Sequence, residues 1–341
     1  MTLKRVTMQD IADACGLSRN TVSKVFNGRG SVPEPTKNLV IAKARELGYY
    51  QYTLDGVTRE KQGGNIALLA QHKFLSHFFG TNFFTSFTNH VSQFGFTVQM
   101  YAVSSSELTK RELPPLLDIE QTAGIVGIEL FDHSYIDMVC SLNIPTVFVD
   151  GYPRAAMSLI PCDFVSMENI ASETAIVRHM ISRGAQRFGF VGDIEHCNSF
   201  FERWQGFRTA LKEAGLPIDR DLCILERDSD LYGDTDWLLE RLAGMPTMPD
   251  AFVCANDFLA IHLMAALKAK GISMPEDAMV AGFGGGPEAS IIEPTLTTAK
   301  IPSSDIGKLA ATVLSRRIQQ PGFPLLLNYV QTTPIWGDST R

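Results

Sequence analysis

Apolar runs alternate with longer amphipathic stretches through most of the chain. Seven runs have the length of strands, and segments between them, such as 167–183, 203–214 and 258–270, have the apolar spacing of helices. This repeated order predicts parallel sheets with helices on both faces. The strand number and the length of 341 residues favour an α/β core of two doubly wound lobes over one sheet. The predicted strands are 65–70, 96–103, 124–130, 145–150, 187–193, 250–257 and 278–283.

The first fifty residues show a different pattern, in which three short helices follow one another. Thr7 stands three residues before Asp10, which is the spacing of a capping box at the start of a helix. Gly16 permits a tight turn, Ser18 caps a second helix, and a third helix covers about 34–47. Such an arrangement is a helix-turn-helix module, whose second helix enters the major groove of DNA.

The second helix is polar on most of its surface. At 100° per residue, Val22, Val25 and Phe26 lie on one arc and five polar residues lie on the opposite arc. On an isolated helix this arc would be ordinary solvated surface. Within a helix-turn-helix module it is the face that meets base edges. The polar arc consists of Arg19, Asn20, Ser23, Lys24 and Asn27.

Charge is distributed unevenly along the chain. Residues 1–50 contain eight Lys or Arg and four Asp or Glu, a net charge of +4, whereas the whole chain carries −7. The remaining 291 residues therefore carry −11. A basic head on an acidic body indicates that only the head meets a polyanion such as DNA.

The other compositional signals favour a cytoplasmic protein. The six cysteines are scattered and form no CxxC pair, so we interpret them as free thiols in a reducing compartment and predict neither a metal nor a cofactor. No signal peptide or membrane span is expected, since the most apolar stretch, 251–270, is interrupted by Asn256, Asp257 and His262.

The domain boundaries follow from these patterns. A polar, glycine-rich stretch at 51–64 is interpreted as a hinge between a head at 1–50 and a core at 65–341. We assign the first lobe to 65–160 and 291–322, and the second lobe to 161–290 and 323–341.

The head resembles the DNA-binding module of the lactose and purine repressor (LacI/GalR) family through VTMQDIADACGLSRNTVSKVFNGRGSVPEPTKNLVIAKARELGY. Further matches follow in order: FVD at 148–150, ERWQGF at 202–207, AND at 255–257 and PTLTTAKIP at 294–302. The resemblance implies a homodimeric repressor of double-stranded operator DNA. It also implies a core like a periplasmic binding protein, with a small effector, a sugar or related metabolite, between its lobes.

The resemblance assigns roles within the head. By position, Arg19, Asn20 and Lys24 match residues that read bases, and their chemistry agrees. Arginine and lysine suit the guanine acceptors, and asparagine suits adenine. The remaining predicted DNA contacts, to phosphates or in fixing the helix, are Thr7, Ser18, Thr21, Ser23 and Asn27.

The hinge departs from the family pattern. The family's hinge helix ends in a leucine that enters the minor groove, and Thr58 stands in its place here. Asp55 is repelled by phosphates, and Gly56 disfavours a helix by about 1 kcal/mol relative to alanine. Val57 is the predicted smaller wedge. We therefore expect a weakly formed or differently used hinge.

In the core, Arg203 matches the family's effector-clamping arginine, and its fork can hold two hydroxyls or a carboxylate. We expect the effector to supply the partner that an inward-facing arginine needs. The alternatives are that Asp257 caps a helix and that the paired phenylalanines belong to the core. The predicted effector site consists of Phe78, Phe79, Asp150, Arg203, Tyr232, Asn256 and Asp257.

One position bears on the ligand class. Family members usually have GFD where this chain has GFGGGP, so Gly284 replaces an aspartate that holds ligand hydroxyls or amines. Glu288 is a possible substitute. The triple glycine is not read as a phosphate loop, because Pro287 follows and no GK[ST] does. The simple sugar interpretation is weakened accordingly.

Three alternatives remain at this point. The missing aspartate favours a regulator of the same fold that senses a partner protein. A solute-binding protein without regulation would have a signal peptide and no helix-turn-helix. An enzyme is disfavoured because no GxSxG, HExxH or Walker pattern is present, so no catalytic residue is predicted.

Overall fold

The computed structural model of the chain describes residues 6–27, 32–47, 64–71, 78–157, 160–227 and 230–341. The chain divides into two compact units, Met1–Gln62 and Gly63–Arg341. Apart from Gly64, the predicted hinge at 51–64 lies outside the described residues.

The head contains three helices, α1 (Met8–Cys15), α2 (Arg19–Asn27) and α3 (Glu34–Glu46). The range predicted for α3, 34–47, agrees with the structure to within one residue, and the predicted Thr7–Asp10 capping box is present at α1. Gly16 ends α1 with a φ of 65°, the left-handed conformation that a glycine adopts without strain.

The core contains alternating strands and helices. The strands are β1 (Asn65–Ala70), β2 (Thr97–Ala102), β3 (Thr122–Ile128), β4 (Thr146–Val149), β5 (Asp163–Met167), β6 (Phe188–Val191), β7 (Ala251–Cys254), β8 (Met279–Ala281), β9 (Thr298–Lys300), β10 (Leu327–Val330) and β11 (Thr333–Ile335). The helices are α4 (Phe78–Ser92), α5 (Ser105–Lys110), α6 (His133–Cys140), α7 (Ile170–Ser182), α8 (Asn198–Glu213), α9 (Thr235–Ala243), α10 (Asp257–Ala269), α11 (Glu288–Ile291) and α12 (Ser303–Gln319).

The first lobe is built on a six-stranded parallel sheet in the order β10-β5-β4-β3-β1-β2. Apolar side chains of α4 and α12 form one core cluster with alternate residues of the strands. A second cluster, to which α6 contributes, contains the intervening strand residues, such as Ala67 and Leu69 of β1. The sheet is therefore covered on both faces.

The second lobe is built on the parallel strands β6-β7-β8. Isolated bridges join Val191 to Ile224 on one side, and Ala281 to Thr297 on the other. β9 pairs with β11 in antiparallel orientation, so this lobe is not wholly parallel. One apolar cluster runs through the lobe and includes residues of α7, α8, α9 and α10. The predicted fold class, a helical head with a two-lobed α/β core, is confirmed.

The predicted lobe boundaries are wrong in three places. β5 and β10 lie in the first sheet, although the stretches 161–290 and 323–341 were assigned to the second lobe. β9, placed by the sequence in the first lobe, instead joins the second sheet through the Gly284–Lys300 bridge and β11. The chain therefore passes between the lobes after β5, after β9 and after β10.

These strands escaped detection for physical reasons. Asp163 interrupts the apolar pattern of β5, yet it is buried because Arg317 of α12 donates from Nε to its carboxylate at 2.7 Å. Leu326 N also donates to this carboxylate at 2.9 Å. β10 is an edge strand that exposes Leu327 and Tyr329, so it lacks the buried apolar run of the central strands.

The described part of the chain also bears on the predicted compartment and metal content. All six cysteines are free, and Cys162, Cys197 and Cys254 are buried. Within these residues, no His, Cys, Asp or Glu cluster could hold a metal ion. None of the described helices combines the length and apolarity needed to cross a bilayer.

Candidate DNA-reading helix and effector cleft

The polar arc of α2 is presented on a small apolar core. Val22 and Phe26 are buried against Ile11 of α1 and Val40 of α3. This burial sets the rotation of α2 about its own axis, because the residues on its opposite side must then point outward.

Arg19, Asn20 and Lys24 are all exposed on that outward side. Neither Arg19 nor Lys24 forms an ion pair with a residue that the structure describes. Two cations and an amide on one helical face can donate to guanine O6 and N7 and pair with adenine N6 and N7. The structure brings these three predicted residues together.

The hydroxyls at the start of α2 stabilise the helix itself. Ser18 Oγ accepts a hydrogen bond from Thr21 N at 3.1 Å, and the two hydroxyl oxygens lie 2.8 Å apart. Two roles were predicted for Ser18 and Thr21, contact with phosphates and fixing of the helix, and these hydrogen bonds agree with the second. The Thr7 hydroxyl similarly donates to Asp10 Oδ2 at 2.6 Å at the start of α1.

Three further predicted DNA contacts are less defined. Ser23 is half-buried on α2. Asn27 is the last residue of α2, but its side chain lies outside the described residues, and Val57 lies outside them entirely. Their contacts with DNA stay predictions.

In the core, the carboxyl end of β4 meets the amino end of α8. Asn198 N donates to Gly151 O at 2.8 Å, and Ser199 N donates to Asp150 Oδ1 at 3.2 Å. Because β4 belongs to the first lobe and α8 to the second, these hydrogen bonds join the lobes at one side of a cleft.

Asp150 supplies the side chain that accepts hydrogen bonds across this junction. It adopts a left-handed conformation with a φ of 59°, and its Oδ2 accepts from the Ser199 hydroxyl at 2.6 Å. Burial raises the pKa of the carboxyl, although the Ser199 hydrogen bond and the nearby Arg203 charge favour its ionised form. The predicted strand-end position of Asp150 is observed, with a protein hydroxyl as its partner.

Arg203 is buried on α8, four residues after Ser199. Its Nε donates to Asn169 Oδ1 at 3.0 Å, and its Nη1 donates to Ala255 O at 2.6 Å. The guanidinium carbon also lies 3.9 Å from the centroid of the Phe283 ring. Protein groups thus already pair Nε and Nη1 of Arg203, and its contact with an effector stays a prediction.

Asn256 and Asp257 begin α10, and both make internal hydrogen bonds. The Asn256 side chain caps the helix by accepting from Leu259 N at 2.9 Å. Asp257 Oδ2 accepts from Gly285 N at 2.7 Å, and its Oδ1 accepts from the Thr298 hydroxyl at 2.5 Å. The helix-capping alternative applies to Asn256, while Asp257 holds the glycine loop.

The same contacts limit the space at Gly284, which stands where the family has an aspartate. Gly284 has a φ of 155°, and a Cβ built on it would lie 2.8 Å from Asp257 Oδ2. Asp257 thus occupies the space that a side chain at 284 would need. Glu288 is exposed on α11, and nothing in the described structure makes it the substitute.

Replacing Gly284 by aspartate is therefore expected to lower the free energy of unfolding by about 2–3 kcal/mol, through backbone strain and crowding against Asp257. Urea unfolding of the full chain measures this change. Gly215→Asp is the matched control, because Gly215 also has a positive φ but has no atom within 4 Å of a built Cβ. Equal losses in the two variants would contradict the role of Asp257.

Two of the three aromatic residues predicted for the effector site, Phe79 and Tyr232, pack in apolar clusters of the lobes. Tyr232 belongs to the apolar core of the second lobe, where its hydroxyl donates to Glu226 O at 2.8 Å, so its assignment to the effector site is wrong. Phe79 packs on the core of the first lobe and stacks with Phe83 at 6.1 Å between centroids. Phe78 begins α4, but its side chain lies outside the described residues. The core alternative is correct for Phe79.

Glu129 is a polar residue that the sequence analysis missed. It follows β3 directly and has a φ of 52°. Burial, and to a lesser degree the charge of Asp150, raise its pKa to about 7. The rule that identified Asp150, a polar residue at the carboxyl end of a parallel strand, also applies to Glu129.

The cleft is rich in carboxyl groups. Burial raises the pKa of Asp150, Glu173 and Asp257, and the charge of Arg203 acts on all three in the opposite direction. Glu173 of α7 is fully buried, and neither of its carboxylate oxygens has a described hydrogen-bond partner. The guanidinium of Arg203 therefore favours the ionised form of all three carboxyl groups.

The comparisons with known proteins agree with both units. Residues 7–51 match the family of bacterial regulatory proteins, lacI family, and residues 177–340 match the periplasmic binding protein-like domain. The chain thus combines a lacI-family DNA-binding domain with a periplasmic binding protein-like domain. The resemblance inferred from the sequence is confirmed, and the family's helix-turn-helix falls on α1 and α2.

Its LacI-family relatives are similar over nearly their whole length. The transcriptional regulator DegA of Bacillus subtilis (strain 168) is 29% identical over 311 residues, which are 89% of this chain and 88% of DegA. The probable transcriptional repressor ExuR of the same organism is 29% identical over 328 residues, 93% of this chain and 92% of ExuR. These relatives are DNA-binding regulators.

Solved LacI-family structures share the fold. A CelR–cellobiose complex aligns with a TM-score of 0.71 at 23% identity, covering 98% of this chain and 100% of that one. The lac repressor dimer bound to operator and an anti-inducer aligns with a TM-score of 0.68 at 23% identity, covering 99% of each chain.

Proposed function

We propose that this LacI-family protein is a cytoplasmic, homodimeric transcriptional repressor that binds operator DNA through α2 and is controlled by a small polar effector in the core cleft. The observation that carries the DNA-binding part is the outward face of α2, where Arg19, Asn20 and Lys24 are exposed together. The relatives DegA and ExuR, both named as transcriptional regulators, support it.

Two heads of a dimer would occupy half-sites one helical turn apart on a near-palindromic operator. The family supports this assembly, and native mass spectrometry of the full chain tests it. A mass that corresponds to one chain at micromolar concentration would contradict the dimer.

Removing either cationic side chain of the arc is expected to reduce discrimination between the preferred operator and a base-substituted operator by about 1–3 kcal/mol. The reason is that each bidentate contact distinguishes one base pair from the others. Arg19→Ala and Lys24→Ala are measured by gel shift on duplexes selected from a random pool.

Lys37→Ala is the matched control for this experiment. Lys37 is a half-buried cation on α3 that pairs with Glu34 at 2.6 Å and lies outside the polar arc. Its loss should weaken binding to all sequences alike, if at all. A Lys37 variant that loses discrimination as much as the Arg19 variant would remove the support for α2 as the reading helix.

The chemistry of the cleft favours an effector that is neutral or positively charged. Glu129 lies near Asp150, and Asp150 lies near Arg203. Burial already disfavours the ionised forms of both carboxyls, so an additional carboxylate would add to the repulsion. Hydroxyl groups can donate to these acids and accept from the guanidinium. A carbohydrate meets both requirements, and solved relatives with cellobiose and with ribose support this class.

The position of Asp257 also bears on the alternative that a partner protein, and not a metabolite, controls this regulator. That alternative depended on the absence of the family's aspartate at Gly284. Asp257 Oδ2 lies 2.8 Å from a Cβ built on Gly284, so the cleft keeps one carboxylate at this place, and a metabolite remains the better supported effector.

Isothermal titration of the full chain with neutral sugars, amino sugars and sugar acids tests the effector class. We expect binding of a neutral or amino sugar and a change in operator affinity when it is present. Binding of sugar acids alone would overturn the assignment of class, and the DNA-reading proposal would stand or fall by the α2 variants.

A further inference from the structure

A pocket of about 480 Å³ lies beside α8. Its wall includes Phe201, Trp204, Gln205 and Arg208, which recur at the spacing of one helical face. At 100° per residue this face is opposite to the one that carries Ser199 and Arg203 into the cleft. The pocket is therefore distinct from the candidate effector cleft.

Guanidinium groups dominate the wall of this pocket. Arg154, Arg208, Arg220 and Arg227 line it, together with the carboxylates of Asp193 and Glu195. Four positive charges thus face two negative ones.

The carboxylates are already engaged by protein groups. Both Nη atoms of Arg154 donate to the oxygens of Glu195 at 2.6 Å, so this pair is close to neutral. Asp193 Oδ1 accepts from Glu195 N at 2.9 Å. The positive excess therefore resides mainly on the other three arginines.

Those three arginines have weak partners within the described structure. Arg208 Nη1 lies 3.4 Å from Gln205 Oε1, and the Arg220 guanidinium lies 6.0 Å from the Trp204 ring centroid. Neither these two nor Arg227 forms an ion pair with any described residue. Like charges that converge on one concave surface repel each other, and a bound anion reverses the sign of that interaction.

We propose that this pocket binds a small organic polyanion, with two or more negative charges carried on phosphate or carboxylate groups. The planar forks of the arginines suit both groups, because each fork can donate two parallel hydrogen bonds. Phe201 and Trp204 supply an apolar surface for the carbon skeleton of the ligand.

The pocket is placed to influence the two lobes together. Arg154 follows β4 of the first lobe, whereas the other wall residues belong to the second lobe. An anion that draws Arg154 from Glu195 changes an ion pair that joins the lobes. A ligand that binds one lobe arrangement better than another shifts the population between them. The pocket is thus a second regulatory site, beyond the effector cleft of the proposed function.

Calorimetric titration of the full chain with glycerol 3-phosphate and with citrate tests the inference, with glycerol as the neutral reference at matched ionic strength. We expect at least one polyanion to bind at micromolar to low millimolar concentration. The responding ligand identifies phosphate or carboxylate as the recognised group. In the double variant Arg208→Gln/Arg220→Gln, its Kd should rise by about tenfold or more, since hydrogen bonds to charged groups are lost.

Arg183→Gln is the control, because Arg183 is an exposed arginine at the end of α7, outside the pocket. The Kd of the Arg183→Gln variant for the responding polyanion should equal that of the unchanged chain. The inference is overturned if neither polyanion binds, if glycerol binds as well as glycerol 3-phosphate, or if the double variant retains full affinity. Because operator binding is measured separately, none of these results bears on the DNA-reading proposal.

Discussion

Replacing Arg203 by alanine is expected to lower the free energy of unfolding of the core by about 3–5 kcal/mol, the range for breaking a buried charge network. The variant leaves Asn169 Oδ1 and Ala255 O without their donor. It also removes the cation whose charge favours ionisation of Asp150 and Asp257. Urea unfolding followed by tryptophan fluorescence measures the loss.

The loss should depend on pH in a defined direction. Without Arg203, the pKa of each neighbouring carboxyl rises further, so ionising it in the folded state costs more. The folded variant then keeps its protons to higher pH than the unfolded chain, and its stability falls as pH rises. We therefore expect a larger difference from the unchanged protein at pH 8 than at pH 5.

Lys212→Ala is the matched control, since Lys212 is an exposed cation on the same helix. It should change stability by less than about 0.5 kcal/mol. Arg203→Lys separates charge from geometry, because lysine retains the charge but cannot form both hydrogen bonds in the same plane. An alanine variant as stable as the Lys212 variant would show that the network around Arg203 contributes little.

The Arg203→Ala protein should also bind operator with unchanged affinity while losing its response to effector. The head carries the base-reading residues, whereas Arg203 belongs to the cleft. Gel shift with and without the sugar found by calorimetry measures both properties. A normal effector response in this variant would remove Arg203 from the predicted binding site.

Replacing Glu173 by glutamine should stabilise the protein at alkaline pH by up to about 4 kcal/mol. Burial raises the pKa of Glu173 from 4.5 to about 8, against the opposing charge of Arg203. The folded chain therefore keeps this proton up to about pH 8, while the unfolded chain releases it near pH 4.5. The contribution of the protonated carboxyl is fully present below pH 4.5 and is lost as pH rises through 8.

Glutamine has nearly the same shape but no proton to lose, so its variant should lack this decline. Thermal and urea unfolding between pH 5 and pH 9 would show the two proteins diverging as pH rises. Glu276→Gln is the control, because Glu276 is an exposed carboxyl. Parallel stability curves for the Glu173 variant and the unchanged protein would contradict the raised pKa.

The pattern of side chains predicted the parts of the fold that depend on local physics. The capping box at Thr7, the glycine turn at Gly16 and the strand β1 follow from interactions within a few residues. Central parallel strands are buried on both faces, so they appear as unbroken apolar runs. β5 does not, because the charge of Asp163 is compensated only by Arg317, 154 residues away.

The predicted effector site was correct where position along a strand determined it and wrong where packing did. Asp150 lies at a strand end as expected, and Glu129 follows the same rule but was overlooked. Tyr232 has an aromatic side chain suited to a sugar, yet its hydroxyl closes a loop of the second lobe on itself. Residue type alone does not distinguish these two uses of tyrosine.

The sequence by itself determined the family, the two-unit organisation and the face of α2 that points outward. These depend on short-range periodicity, caps and an ordered set of motifs. Only the tertiary structure decided that Asp257 fills the space beside Gly284, that protein groups pair Arg203, and that four arginines converge outside the cleft. Such outcomes join residues far apart in the chain, and burial together with charge balance at the contact determines them.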